Sequence, residues 1–216
     1  MFCLFAQGMD EKRKRKNEPK EYQISDIVIE VLEVAVNLIL YVRNIYPDGI
    51  FQRSKIYNCS VMMCQHPDVN AYIKDVLDSI KCFVADGTIE KVVIQITNNN
   101  IPLERFVFEM KLTNNTDRQC YFDMEAHLRA VLLKLNTCEA MLKPVPDDSS
   151  FQVLAYTRSS TLSKMEAGIN FPEFPWVVVE DKTKYELSDP LIIPLRSCNT
   201  NALKLQCYVE EYSNKS

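Results

Sequence analysis

The chain offers few residues for catalysis. Only His66 and His127 among its 216 residues could act as imidazole bases, and neither sits in a nucleophile, zinc-protease or phosphate-binding pattern. Four glycines, Gly8, Gly49, Gly87 and Gly168, are too scattered to cradle a phosphate. No G-x-S-x-G sequence, no Walker pattern and no telling carboxylate pair is present, and Asp147-Asp148 reads as a solvated loop pair. Cys64-x-His66 hints at a metal site, but no second Cys/His pair completes a tetrahedral set. No catalytic, metal or cofactor site is therefore expected. Binding chemistry is better represented. Tyr46, Tyr72 and Trp176 are large amphipathic residues next to turns. Each by default packs at a core rim. As a set beside a mobile sheet edge they could equally clasp a proline-containing peptide, because flat rings pack well on pyrrolidine rings.

The elements that must position these residues begin with a helix from about Ile24. Ser25 or Asp26 can cap its start, and Tyr46-Pro47-Asp48-Gly49 stops it. Apolar residues from Ile27 to Ile45 cover more than half of its circumference, so it must be buried on several sides. Glu30, Glu33 and Arg43 keep the apolar run well short of the ~20 residues of a membrane span. This is the expected central helix of one globular domain. Ile56–Met63 reads as a short strand. His66-Pro67 opens a second helix, with Val69, Tyr72, Ile73, Val76, Leu77, Ile80, Phe83 and Val84 at helical spacing and Gly87 ending it. Thr88–Thr97 and Leu103–Leu112 form a hairpin around Asn98-Asn99-Asn100-Ile101-Pro102. A third helix runs from about Gln119 to Leu142, where Pro144 and Pro146 end it.

From Phe151 the texture changes. Phe151–Thr157, Trp176–Glu180, Leu191–Leu195 and Leu203–Glu210 read as strands. Six of the ten prolines lie between Pro144 and Pro194, just before and within this region. Proline lacks a ladder donor, so these strands belong at sheet edges or change partners easily. Three helices, a long hairpin and a run of proline-broken strands give an α+β domain with helices packed on one sheet. An exposed edge of that sheet can accept an extended peptide by strand addition.

Length fits one large domain or two small ones, and a hydrophobic content of 47% excludes disorder for most of the chain. A net charge of −4 argues against direct nucleic-acid binding, which needs concentrated positive charge. The eight cysteines show no regular spacing and read as reduced, buried thiols. MFCLFAQG at the start has its basic residues after the apolar ones, unlike a signal peptide. Met9 is a candidate second initiation site. The run Lys12-Arg13-Lys14-Arg15-Lys16 reads either as a solvated tail, which the surrounding acidic residues favour, or as a nuclear-import signal.

Several blocks, in order, resemble a known family. EVLEVAVNLILYVRNIYPDGIFQRSKIYN, HPDVNAYIKDVL, EKVVIQI with PLERFVFEM, HLRAVLLKLNTCEAML, FPWVVVE, DPLIIPL and LQCYVEE are similar to the branch of the HORMA-domain family that supplies the accessory subunit of DNA polymerase zeta. The resemblance spans about Ile24–Ser216 and leaves out residues 1–22, expected to be a disordered extension, and the Thr113–Gln119 loop. It implies a single HORMA domain over 23–216, with three helices on a mainly antiparallel sheet. It also implies a C-terminal safety belt, about 151–216, that wraps over an extended peptide. It implies a non-enzymatic adaptor without cofactors, located in the nucleus and also the cytoplasm. Tyr46, Tyr72 and Trp176 match the family's peptide-clasping aromatics in YPDG, NAYI and FPW. The implied ligand is a proline-containing segment of the polymerase zeta catalytic subunit.

A second implied surface, Ile192, Gln206 and Tyr208, takes the scaffold polymerase that transfers deoxycytidine; residue 192 is isoleucine where close relatives have leucine. A homodimer surface on the third helix would include Arg129 and Ala140. Break-repair complex subunits and a remodelling ATPase are further implied partners, while nucleic acid and membrane are not. The alternative is a spindle-checkpoint or meiotic HORMA signalling adaptor, and the alternative of another class is an unrecognised enzyme.

Overall fold

Helix α1 (Ile24–Val42) is buried almost throughout, with Val34, Ala35, Val36, Leu38, Ile39 and Leu40 at 1% exposure or less. The computed structural model, which describes residues 2–6, 23–113, 118–158, 174–179, 185–187 and 189–212, shows why. The helix is enclosed by α2 (Pro67–Ala85), α3 (Arg118–Asn136), a small hairpin and the main sheet, which matches its near-complete apolar circumference. Its start differs from expectation: Gln23 is the capping position, and Asp26, three residues on, accepts the Gln23 amide at 3.0 Å. Asp26 also pairs with Lys81 of α2.

The end of α1 comes before the proline turn. Asn44 adopts a left-handed φ of 53°, its amide bonds the Tyr41 carbonyl, and the Ile45 amide bonds the Leu40 carbonyl. That double bond pattern satisfies the last carbonyls and stops the helix. Gly87, at φ 62°, closes α2 the same way, with Gly87 and Thr88 amides on Val84 and Phe83.

The expected single strand over Ile56–Met63 is instead part of a hairpin. β2 (Phe51–Ile56) and β3 (Cys59–Cys64) pair antiparallel around Tyr57-Asn58. Both turn residues have positive φ, 49° and 56°, as a two-residue hairpin turn of the favoured twist requires. β3 lies against α1 and α3, tied by the Asn37 side chain, whose Oδ1 accepts the Cys64 amide at 2.9 Å.

The main sheet holds β4 (Ile89–Asn98), β5 (Ile101–Leu112), β6 (Ser150–Thr157), β7 (Trp176–Val179), β8 (Leu191–Asn199), β9 (Leu203–Glu211) and β1 (Phe2–Ala6). Their order is β7-β1-β6-β4-β5-β9-β8, every pair antiparallel. β4 and β5 turn through Asn99-Asn100, both at positive φ, as expected. β8 is an edge strand whose register shifts between Pro194 and Arg196, the tolerated setting for a strand proline.

Within residues 1–22, expected to be a disordered extension, Phe2–Ala6 is a strand. It runs as an inner strand of the sheet, paired on both sides. Residues 7–22 lie outside the described residues, as do 159–173, 180–184, 188 and 213–216 of the expected belt. Helix α3 ends at Asn136, and a separate 3-10 turn, Cys138–Met141, follows. Ala140 therefore sits in that turn and not on the third helix.

The two faces of the sheet differ. Val92, Ile94, Ile96, Phe106, Phe108, Val153 and Ala155 face the helices and join the main core. The alternate residues Val93, Val107, Leu154, Tyr156 and Val179 form a smaller cluster on the outer face, with Tyr185 and Tyr208 packed against it. Cys59, Cys64, Cys138, Cys198 and Cys207 are buried unpaired thiols and Cys82 is half-buried. Burial raises the Cys138 thiol to about 12, so it packs as an apolar group.

Candidate peptide-binding slot and outer partner face

β6 and β7 do not pair with each other; one extended segment runs between them. Phe2–Phe5 pairs with Thr157–Leu154 of β6, and Cys3–Ala6 pairs with Val179–Trp176 of β7. The space is thus one strand wide, with backbone donors and acceptors on both walls. Such a space binds any extended backbone and leaves sequence choice to side-chain pockets.

The three aromatics expected to clasp a peptide flank this space. Tyr46 follows α1 and Tyr72 projects from α2, and both rings stand edge-on to Phe151 of β6, at centroid distances of 6.3 and 5.7 Å. Trp176 begins β7, stacks obliquely on Phe174 at 5.1 Å, and donates its indole N–H to the Ser79 hydroxyl of α2 at 3.1 Å. Ser79 lies two helical turns beyond Tyr72, on the same face. Tyr46 and Tyr72 meet through Phe151, and Trp176 anchors farther along α2.

Burial pushes the Tyr72 hydroxyl up to about 12, the nearby Tyr46 pushes it the same way, and a hydrogen bond from the Val153 backbone opposes both. That bond uses the one amide hydrogen of Val153, just past Leu154 where the described pairing of β6 with β1 stops. The phenol oxygen therefore covers a strand-edge donor that would otherwise lack a partner. Burial also raises the Tyr46 hydroxyl, helped by Cys64. Phe151, Phe174 and Ser79 were not singled out from the sequence. Phe151 reads there as an ordinary strand residue, and only the FPEFPW string, with two prolines beside Phe174, carries a local signal.

Ile192, Gln206 and Tyr208 come together on the outer face. In register, Ile192 lies opposite Glu210, Pro194 opposite Tyr208 and Ser197 opposite Gln206, and paired residues share a face. Ile192 is 60% exposed and Gln206 is exposed, so neither is a core strand residue. Tyr208 is half-buried against the outer cluster and donates to Glu109 Oε1 at 2.8 Å. Burial, then that hydrogen bond, raises its hydroxyl. Arg105 bonds both Glu210 and the Tyr156 hydroxyl at 2.6 Å on this face. Arg129 is half-buried on α3, and Ala140 is exposed in the following turn. Leu133 and Met141, 51% and 44% exposed, lie near them in the chain and were not anticipated.

Cys64 is not poised for a metal. It is buried, and its sulfur accepts the His66 amide at 3.4 Å in the turn into α2. A buried polar group missed from sequence lies where the C-terminal strands meet the rest. Arg43 forms a two-bond pair with Glu104 of β5, at 2.7 and 3.0 Å, and donates to the Lys143 carbonyl. Glu211 of β9, opposite Glu104, accepts the Lys143 amide at 2.8 Å.

A family model for the HORMA domain matches residues 25–165. The chain is 41% identical over 197 residues to the mitotic spindle assembly checkpoint protein MAD2B of Danio rerio, covering 89% of this chain and 93% of that one. It is 29% identical to the DNA polymerase zeta processivity subunit of Arabidopsis thaliana, covering 92% and 91%. Among solved structures, a chain of the mitotic checkpoint complex superimposes with a TM-score of 0.74 at 24% identity, covering 87% of this chain and 97% of that chain. C. elegans HTP-2 bound to a HIM-3 closure motif gives 0.67 at 14% identity, covering 88% and 90%. By sequence over most of its length, and by a fold of three helices on an antiparallel sheet, the chain belongs to the HORMA-domain family of non-catalytic adaptors.

Proposed function

We propose that this chain is a translesion-synthesis adaptor in the nucleus. It captures a proline-containing peptide of the DNA polymerase zeta catalytic subunit between β6 and β7, against Tyr46, Tyr72 and Trp176. It holds a deoxycytidyl-transferring scaffold polymerase on the outer face through Ile192, Gln206 and Tyr208. The observation that carries the reading is the strand-wide space whose two walls come from β6 and from β7, flanked by aromatic rings. The polymerase zeta name of the Arabidopsis relative supports the choice of partner, and the bound closure motif of HTP-2 supports capture as the mode.

Calorimetry with a proline-containing peptide from the catalytic subunit tests this. Trp176→Ala and Tyr72→Ala each weaken capture by ~2 kcal/mol or more while the domain stays folded, as anchor aromatics do. Unchanged affinity in both variants removes these residues from the site. A checkpoint adaptor is the second reading, favoured by the name of the Danio relative. Partners recovered by cross-linked co-purification after DNA damage, compared with mitotic arrest, separate the two.

A further inference from the structure

We propose that the chain captures itself: Phe2–Ala6 occupies the peptide slot, and a partner peptide must displace it. The inference rests on the reading of that slot as the peptide site. β1 is continuous with both walls, Phe2 opposite Thr157 on one side and Ala6 opposite Trp176 on the other. Trp176, one of the three peptide-clasping aromatics, is thus in direct register with the chain's own N-terminal segment.

Two consequences follow from the ladder. Among the described residues β7 pairs only with β1, so in the peptide-free protein β7 is held to the sheet through this segment. β6 would otherwise expose a row of unpaired backbone groups toward β7, a template for unwanted strand pairing. An occupant from the same chain covers that edge without closing the site permanently. A tethered segment has an effective concentration of ~mM, so even a weak intrinsic affinity of ~0.1 mM keeps the slot about nine-tenths filled. The apparent affinity of any competing peptide then falls ~10-fold, because only the vacant fraction is competent.

The occupant contributes backbone, so proline is the proper probe. Alternate amides of a central strand serve opposite neighbours, and Cys3→Pro/Leu4→Pro in the full chain removes one donor toward each wall. The first measurement is residue-resolved amide exchange without any peptide. The amides of β7 that face β1, an alternate set within Trp176–Val179, should be protected in the wild type and lose that protection about 10-fold in the variant. A synthetic MFCLFAQG peptide added to the variant should restore it. The second measurement is binding of the proline-containing peptide, which should be ~10-fold tighter in the variant.

Equal exchange of β7 in both proteins overturns the proposal. Equal affinity of both for the proline-containing peptide, where it binds, also overturns it. If that peptide binds neither protein while exchange and rescue respond as expected, self-capture stands and the polymerase-peptide reading fails. A full chain that dimerises through this segment overturns the intramolecular form.

Discussion

Arg43 and Glu104 are 4% and 0% exposed and bonded to each other by two hydrogen bonds, so each is the other's buried counter-charge. Removing one partner leaves an uncompensated buried charge, which costs about 3–5 kcal/mol. Arg43→Met should lower stability by that amount in urea denaturation, and Arg43→Met/Glu104→Gln should recover most of the loss. Tyr72 gives a prediction with a sign. Its hydroxyl is raised from 10.0 to about 12, chiefly by burial, so the unfolded chain ionises first as pH rises. The contribution of this group is whole below pH 10 and is lost as pH climbs toward 12. Tyr72→Phe cannot ionise, so it should lose less stability than the wild type between about pH 10 and about pH 12, measured by denaturation midpoints. A wild type and variant that fall in parallel would place Tyr72 in contact with water.

At the scale of elements, Gly87 isolates a backbone effect. A Cβ there would meet nothing within 4 Å, yet its φ is 62°, so Gly87→Ala should cost about 1 kcal/mol of stability through conformation alone. The helices, the β4–β5 hairpin and the edge position of Pro194 were legible in the sequence because periodicity, asparagine turns and proline chemistry are local. The elements that escaped depend on distant partners or on unusual turn residues. Tyr57 at positive φ hid the β2–β3 turn, since tyrosine is not a residue that favours that backbone. β1 escaped because five residues become a strand only when β6 and β7, far along the chain, supply both ladders. Arg43 read as a charge interrupting an apolar run, and its buried acid lies on β5. Of the proposed site, Tyr46, Tyr72 and Trp176 are marked in the sequence by aromatic character beside turns and by the motif resemblance, while Phe151, whose ring joins Tyr46 and Tyr72, has no local mark.

At the scale of the whole molecule, the proposed slot and the proposed outer partner face lie at opposite ends of one sheet. The slot is at the β6–β7 end, and Ile192, Gln206 and Tyr208 sit on β8 and β9 at the opposite end. A bridge of this kind predicts separable losses. Ile192→Ala removes an exposed side chain, so melting should stay within ~0.5 kcal/mol of wild type. A core position would instead lose ~2–4 kcal/mol to a cavity. Gln206→Ala should behave like Ile192→Ala, because water replaces its amide bonds in the free protein. Tyr208 needs the milder Tyr208→Phe, which keeps the ring against Val107 and its neighbours and removes only the bond to Glu109. That change should cost about 1 kcal/mol, the net value of such a bond. In a ternary pull-down, these variants should lose the scaffold polymerase and keep the catalytic-subunit peptide, whereas Trp176→Ala should do the reverse. Variants that lose both partners together while melting normally would mean that the two ends of the sheet are coupled. Strands β7, β8 and β9 would then act as one binding unit, not two.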